Sequence, residues 1–537
     1  MGFRLRERRL VEVNSATRLA RTLILQLIAE GITDVVLSPG SRNAPLSIAL
    51  FAAEEKGLIS LHVHIDERSA AFFALGISKA SGRPVAIVCT SGTAVANYHP
   101  AILEAWHSQV PLLVLTADRP ARLRQTGANQ TTLQAGIFID AVAFSADVEN
   151  SEFDFSSAFN FLRKGPVHLN VQFDEPLLPD DQSDWLVDAH LVSPNRSEHP
   201  VVENLSIKTP RGVIVVGHDR AGFTVDEVND FAMKVGWPLI AEDPLSFESA
   251  VSHASLFLGA EQVRAALIPE CVIVIGRTTL SRSINSFIKS ASREIVIDPR
   301  IENIDTKRFA DQIFLRIPFL VGEVDVDQAW HALWDLYSKK TETLIPKMES
   351  WSEPAICRLI ANSLQQGSAF YLSSSRPIRD IEGFASPRSG IETFANRGLA
   401  GIDGNISCAV GIASQRTSTT ALIGDLSFLH DHSGLLLDKD VALRIIVLNN
   451  DGGGIFSTLP QSGVDGFEKI FGTPHGFDLA AISKALGIKT FSITELSELT
   501  RELATPVVGL SVVVLQLPSR QENAESLRKL NAEIAGF

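Results

Sequence analysis

Long apolar runs, paired cysteines and an excess of positive charge are all missing from this chain of 537 residues. No apolar stretch approaches the ~18 residues that a membrane-spanning helix needs, so insertion into a bilayer is not expected. Cys89, Cys271, Cys357 and Cys408 lie far apart and make no CxxC or other metal spacing. They read as reduced, mostly buried thiols of a cytoplasmic protein. A formal net charge of −14 argues against general binding to nucleic acid or to an anionic membrane. The segment MGFRLRERRLVEVNSATR is basic but has no apolar stretch behind it, so it does not read as a secretory signal. Low-complexity tracts are absent, and residue-level repetition is not evident.

The rest of the composition is that of an ordinary globular protein, 45% hydrophobic and 20% charged. The length calls for two to four domains. Strand-like and helix-like segments alternate throughout, which predicts an α/β fold of doubly wound parallel sheets. Polar stretches at 183–212 and 337–354 read as linkers between domains at 1–182, 205–336 and 350–537. The first and third domains have similar layout. Asn14 or Ser15 can cap a helix striped by Leu19, Leu23, Leu27 and Ile28, and Gly31 stops it. Pro100 falls in an otherwise helical stretch and predicts a break or kink there.

One stretch, RIIVLNNDGGGIF (Arg444 to Phe456), ends an apolar strand in amides, an aspartate and bare backbone. Asn-Gly and Asp-Gly sequences commonly make hairpins, but a hairpin needs a returning strand, and IFSTLPQSG runs into Pro460 instead. ALIGD and RIIVLNN both end where parallel sheets bind ligands, beyond the carboxyl ends of strands. One crossover between them would set Asp425 beside Asn450. Magnesium takes oxygen ligands in octahedral geometry, often partly from phosphates. Asp425, the Asn450 Oδ1 and the Gly452 carbonyl would supply three. Gly452, Gly453 and Gly454 allow close approach of a phosphate and are expected to open a helix whose N-terminus favours anions.

Gly424-Asp425 followed by Asn449-Asn450 resembles the binding motif of the thiamine diphosphate-dependent enzymes. That resemblance implies three domains: pyrimidine-binding, central Rossmann-like and diphosphate-binding. Leu426 stands where most of those enzymes have glycine. Six stretches narrow the likeness: SPGSRNAPL, TSGTAVANYHPA, LTADRP with TGANQT, NRGLAGIDG, GDLSFLHD and NNDGGGIFSTLP. Together they are similar to the 2-succinyl-5-enolpyruvyl-6-hydroxy-3-cyclohexene-1-carboxylate synthases of menaquinone biosynthesis, in which Leu426 is at home. The resemblance covers both end domains, the middle one only loosely.

The likeness implies a cytoplasmic transferase using thiamine diphosphate with Mg2+ or Mn2+. It would decarboxylate 2-oxoglutarate and add the resulting four-carbon enamine to isochorismate. Glu67, between a strand and a helix packed by Phe72, Phe73, Leu75 and Ile77, matches the activating carboxylate. From local sequence alone the favoured reading is a helix-start acid interacting with the dipole, and the resemblance reverses it. The implied cofactor contacts are Glu67, Ile402, Gly424, Asp425, Leu426, Ser427, Asn450, Gly452, Gly453, Gly454, Ile455, Phe456 and Leu459. Both substrates are dicarboxylates, which bidentate arginine suits. Arg42, Arg119, Arg379 and Arg397 match, with Ser41, Asn129, Gln130 and Ser375 beside them and Arg282 as a fifth arginine. Glu67 would meet Asp425 across a homodimer interface, or within a dimer of dimers. His430 and His432 read as surface or capping residues, and His62 and His64 have no third metal ligand nearby.

Two rivals stay open at the level of sequence. One is an acetohydroxyacid synthase-like carboligase or decarboxylase, which handles smaller monoanions. The other is a non-catalytic Rossmann-like binding protein, for which VIVVGHDRAG lacks the GxGxxG fingerprint.

Overall fold

The computed structural model describes residues 13–187, 189, 203–300 and 310–537. The basic N-terminal segment before Val13 and much of the 183–212 stretch lie outside the described residues. Three large sheets carry the chain, and every pairing among the described strands is parallel. Parallel sheets are covered on both faces, which is why their strands read as unbroken apolar runs.

The first sheet contains β1 (Asp34–Leu37), β2 (Ser60–Val63), β3 (Val85–Cys89), β4 (Leu112–Asp118), β5 (Phe144–Val148) and β6 (Val167–Gln172) in the order β2-β1-β3-β4-β6-β5. A short β7 (Asn204–Leu205) comes next. The second sheet contains β8 (Gly212–Val216), β9 (Leu239–Ala241), β10 (Cys271–Ile275), β11 (Arg293–Ile297) and β12 (Gln312–Phe314), ordered β12-β11-β10-β8-β9. After β13 (Phe319–Leu320), the third sheet holds β14 (Ala369–Leu372), β15 (Glu392–Ala395), β16 (Thr419–Gly424), β17 (Leu443–Asn449), β18 (Lys489–Ile493) and β19 (Leu510–Gln516). Its order, β15-β14-β16-β17-β19-β18, is that of the first sheet strand for strand. The likeness of the end domains therefore lies in their threading.

The chain divides into two compact units, one of residues 1–198 with 407–415 and one of 199–406 with 416–537. In the first, the Glu67–Ser81 helix packs against residues 407–415. A Cβ on Gly76 would strike the Cys408 carbonyl, and one on Gly411 the Phe73 carbonyl, so two glycines permit backbone-to-backbone contact. In the second unit β17 is central, and its residues Leu443–Leu448 are buried. Each such aliphatic side chain contributes about 1.5–3 kcal/mol of hydrophobic stabilisation.

Local signals hold where they have a steric or capping cause. The Asn14 side chain accepts the Thr17 N–H, capping the Ser15–Ala29 helix, and Gly31 follows that helix at φ 74°. Around Pro100 the chain breaks at Tyr98, between helices Thr93–Asn97 and His99–Ser108. The stretch 337–354 is ordered, not loose polar chain. The Gln328–Leu344 helix runs into it and buries Trp330, Trp334, Thr341 and Leu344, and the Glu353–Ser363 helix begins before it ends. A mostly polar exposed face hid that stripe. Part of the first predicted linker is likewise structured, since β7 pairs with β13. Strand β2, expected to be apolar, is a largely exposed edge.

His168 on β6 offers a test of this core. Its ring is fully buried, with Nε2 2.8 Å from the Thr116 hydroxyl and the Phe138 ring edge-on at 4.9 Å. Burial lowers its pKa from 6.5 to about 3. The folded state thus keeps it neutral, while the unfolded chain takes up a proton below about pH 6.5. Stability present at neutral pH is lost as pH falls from there toward 3, at up to about 1.4 kcal/mol per pH unit from this group. Urea unfolding at pH 6.5, 5.5 and 4.5 should therefore show a shallower decline for His168→Gln than for the parent; equal slopes would refute it.

Candidate active site

In the second unit β16 and β17 pair with Gly424 opposite Leu448, so both strands deliver their next residues to the same carboxyl edge. Asp425, the first residue of the Asp425–Asp431 helix, is 3% exposed. Its Oδ1 accepts the Leu426 N–H at 2.7 Å, and its Oδ2 accepts the N–H groups of Asn450 at 3.2 Å and Gly452 at 2.8 Å. Asp425 and Asn450 are therefore neighbours, and β17 pairs in parallel with β16 and β19, with no hairpin partner among the described residues. The Asn450 amide nitrogen donates to Glu353 Oε1, while Asn450 Oδ1 is buried with no hydrogen-bond partner among the described residues. An orphaned amide oxygen beside a carboxylate is costly for a protein alone and suited to a hard cation. No cluster of three His, Cys, Asp or Glu residues able to hold a metal occurs among the described residues. A centre here would rely on one carboxylate with amide and carbonyl oxygens. The Gly452 carbonyl accepts the Gly454 N–H at 2.9 Å and keeps a second lone pair for such a role.

The glycines work differently from expectation. Gly452 sits at φ 131°, and a Cβ there would strike the Gly472 carbonyl and Arg520. The Gly452 and Gly453 N–H groups are engaged within the protein, by Asp425 and by the Gly472 carbonyl at 2.7 Å. A five-residue 3-10 turn, Gly454–Thr458, takes the place of the expected α-helix. Gly452 and Gly453 are thus explained by packing against residues 471–473, and Gly454 by the close approach of the Asn450 amide. The half-buried side chains of Ile455, Phe456 and Leu459 come directly after these glycines. Gly424 and Leu426 are half-buried and Ser427 buried in the turn of chain that carries Asp425.

Ile455 and Leu459 also line a cavity of about 410 Å3 with Arg282, Arg376, Arg379, Asp380 and Glu382. Three guanidinium groups thus converge on one hollow of a strongly acidic chain. Arg379 donates to the Ser375 carbonyl, and burial together with the Arg376 charge pulls it below the usual guanidinium range. Arg376 pairs with Asp380. Burial pushes the Asp380 carboxyl up to about 7, with Arg376 opposing and Glu353 reinforcing the shift. Burial likewise drives Glu382 well upward, with the Glu242 charge adding to it. Arg397 does not line this cavity, but its charge acts on Arg379 and Glu382, which do. It is 3% exposed and holds Glu242, with Nη2 3.0 Å from Oε1 and Nε donating to Oε2 at 3.1 Å. Ile402 is 38% exposed.

The first unit gathers a second group. Loops after β1, β3 and β4 carry Ser41–Arg42, Ser91 and Arg119. The Asn43 side chain holds the first of these loops by accepting the Gly40 N–H at 2.9 Å and donating to the Ser38 carbonyl at 2.9 Å. Arg119 donates to Ser91 Oγ and to the Gln130 carbonyl, both at 2.9 Å, and Gln130 returns its amide to the Ser91 carbonyl at 3.0 Å. Asn129 and Ser41 are exposed. Burial, with the adjacent Arg119 charge, lowers the Arg42 pKa. Like charges held this close favour an anion between them. Glu67 opens its helix behind the Asp66 cap and is half-buried. Its charge adds to the burial that drives the Cys89 thiol and Tyr98 phenol well upward.

Three residues at these sites carried no reading from sequence. Arg376 stands three positions before Arg379 in SSSRPIRD, a helical spacing that could have flagged it. Glu353 precedes Pro354 at a helix start, an unremarkable setting for an acid. His475 lies 3.4 Å from Asp425 Oδ2 and is raised by that contact, yet nothing local in TPHGF signals it. His432 caps its helix through the Leu429 carbonyl at 2.9 Å. His62 and His64 pack edge-on against Phe73.

Comparison with known proteins places this geometry. Residues 17–141 match the family model of the thiamine pyrophosphate enzyme N-terminal TPP binding domain, and 180–372 that of the middle domain of thiamine pyrophosphate enzymes. A 2-succinyl-5-enolpyruvyl-6-hydroxy-3-cyclohexene-1-carboxylate synthase from Thermobifida fusca is 38% identical, over 97% of this chain and 99% of its own. Synthases of the same name from a Nocardioides species (38%, covering 96% and 98%) and Staphylococcus haemolyticus (34%, covering 97% and 98%) agree. No helix among the described residues is long and apolar enough to cross a membrane. The chain belongs to the family of 2-succinyl-5-enolpyruvyl-6-hydroxy-3-cyclohexene-1-carboxylate synthases, within the thiamine pyrophosphate enzymes.

Proposed function

We propose that the chain decarboxylates 2-oxoglutarate and joins the remaining four-carbon unit to isochorismate by conjugate addition. The products are 2-succinyl-5-enolpyruvyl-6-hydroxy-3-cyclohexene-1-carboxylate and carbon dioxide, on the route to menaquinone. The observation that carries this reading is the convergence of Arg282, Arg376 and Arg379 on a cavity walled by Ile455 and Leu459, which follow the Asp425–Asn450 pair. Substrates with two carboxylates each give those charges a purpose that a monoanion would not.

When bound, thiamine diphosphate supplies a nucleophilic carbon and an electron sink. Asp425, Asn450 Oδ1 and the Gly452 carbonyl would hold Mg2+ or Mn2+, with Gly424, Leu426, Ser427, Gly453 and Gly454 shaping the surrounding loops. Glu67 would hold a proton at N1′ of the aminopyrimidine, and Ile402 would support the cofactor. Ile455, Phe456 and Leu459 keep water from the reacting carbon. Arg42, Arg119, Arg282, Arg379 and Arg397 bind the carboxylates, assisted by Ser41, Asn129, Gln130 and Ser375. Of these, Arg397 acts from a fixed position because Glu242 anchors it. A second copy of the chain completes each site, the Glu67 side of one protomer meeting the Asp425 side of its partner. Domains at 1–182, 205–336 and 350–537 fit this scheme, and four buried cysteines that form no disulfide fit a reducing cytoplasm.

Supplied with thiamine diphosphate, magnesium, isochorismate and 2-oxoglutarate, the protein should consume isochorismate and release carbon dioxide. Pyruvate in place of 2-oxoglutarate should leave isochorismate intact. Consumption with pyruvate alone would overturn the assignment in favour of a carboligase of smaller acids.

A further inference from the structure

Glu353 is a buried acid that the reaction does not use, on a helix far in sequence from the residues it touches. It is 3% exposed at the first position of the Glu353–Ser363 helix. Four groups fix it. Its N–H donates to Asn523 Oδ1 at 3.3 Å, and Asn523 Nδ2 returns a bond to Oε1 at 3.3 Å. Arg376 Nε lies 3.8 Å from Oε2, and the Asn450 amide nitrogen donates to Oε1. Asn523 is itself tied to the Pro518 carbonyl at 3.0 Å. A carboxylate has only acceptors to offer, so any amide that meets it must turn its NH2 inward. The amide oxygen is then the end left over, and it is Asn450 Oδ1 that is buried without a partner.

We infer that Glu353 is a positioning residue that fixes the Asn450 amide so that Oδ1, and not Nδ2, is presented to a divalent cation beside Asp425. This rests on the metal site of the proposed function. Partners of this kind set the orientation of metal ligands, and their loss typically lowers metal affinity about 10- to 100-fold.

Glu353→Gln keeps the shape and removes the constraint. With the Arg376 cation on one side, the new carbonyl turns toward it and the new NH2 faces Asn450. Two donors cannot share that contact, so the Asn450 amide must reverse. Titration of Mn2+ into protein with thiamine diphosphate, followed by calorimetry, should show a Kd raised about 10- to 100-fold. Melting of the metal-free protein should be unchanged or higher, because a neutral amide is easier to bury than a charge. Adding Asn450→Asp to Glu353→Gln restores complementarity, since the amide then donates to a carboxylate whose second oxygen faces the cation. The double variant should recover to within about fivefold of the parent.

Unchanged Mn2+ affinity in Glu353→Gln, or a double variant no better than the single one, overturns the role. If Glu353→Gln does not fold, Asn523→Ala carries the test by loosening Glu353 while leaving Asn450 and Asp425 unchanged. A Kd raised about threefold or more supports the role, and an unchanged one overturns it. A parent protein that binds no Mn2+ in this assay removes the metal site itself, and the role with it.

Discussion

Glu67→Gln should lower turnover by about 10^3-fold, within the range typical of a lost acid–base group, while thiamine diphosphate binds within about threefold of the parent. Glutamine matches glutamate in size and can still hydrogen-bond, but it neither gives nor takes a proton near neutral pH. The residue opens the Glu67–Ser81 helix, where a negative charge is worth only about 0.3–1 kcal/mol to the fold. The Asp66 cap, which accepts the Arg68 N–H at 3.1 Å, is untouched, so the helix should remain. Cofactor titration by intrinsic fluorescence and steady-state kinetics on the same preparation separate the two effects. Turnover equal to that of the parent would take Glu67 out of the mechanism.

Removing Asp425 should act on binding. Asp425→Ala is expected to weaken magnesium-dependent cofactor affinity at least about 100-fold, on the scale of lost metal-site interactions. It should also lower the melting temperature of the cofactor-free protein. The second effect has its own cause: the carboxylate accepts three backbone N–H groups, and each buried donor left unpaired costs about 1–3 kcal/mol. Asp425→Asn divides the two, since its amide oxygen still serves part of that loop while the charge is gone. Its melting temperature should lie nearer the parent than that of Asp425→Ala, with affinity for magnesium and cofactor still low. Calorimetric titration with and without magnesium reads the outcome. An alanine variant that retains cofactor as the parent does would show that the cation is held elsewhere.

How far these sites could be read beforehand depends on where each signal resides. The Asp425–Asn450 pairing was legible because parallel β16 and β17 must end together, so strand pattern alone made two distant residues neighbours. The capping Asn14 and the break before Pro100 were legible because their causes act within a few residues. Glu353, Arg376 and His475 were not, since each acquires meaning only through a side chain brought to it by tertiary folding. The helical order of the 337–354 stretch was not legible because a helix that buries one narrow stripe is mostly polar in composition. Arg397 was selected as an arginine within a motif, but sequence could not reveal that Glu242 holds it.

The first and third sheets share one strand order, yet their corresponding loops carry unlike cargo. After the first strand comes Arg42 in one and Arg376 with Arg379 in the other; after the third, Ser91 against Asp425; after the fourth, Arg119 against Asn450. Specialisation has therefore occurred in the connections while the wiring stayed the same. Substrate range in this chain should then be open to redesign by exchanging a few loop tips, with the buried strands beneath them left as they are.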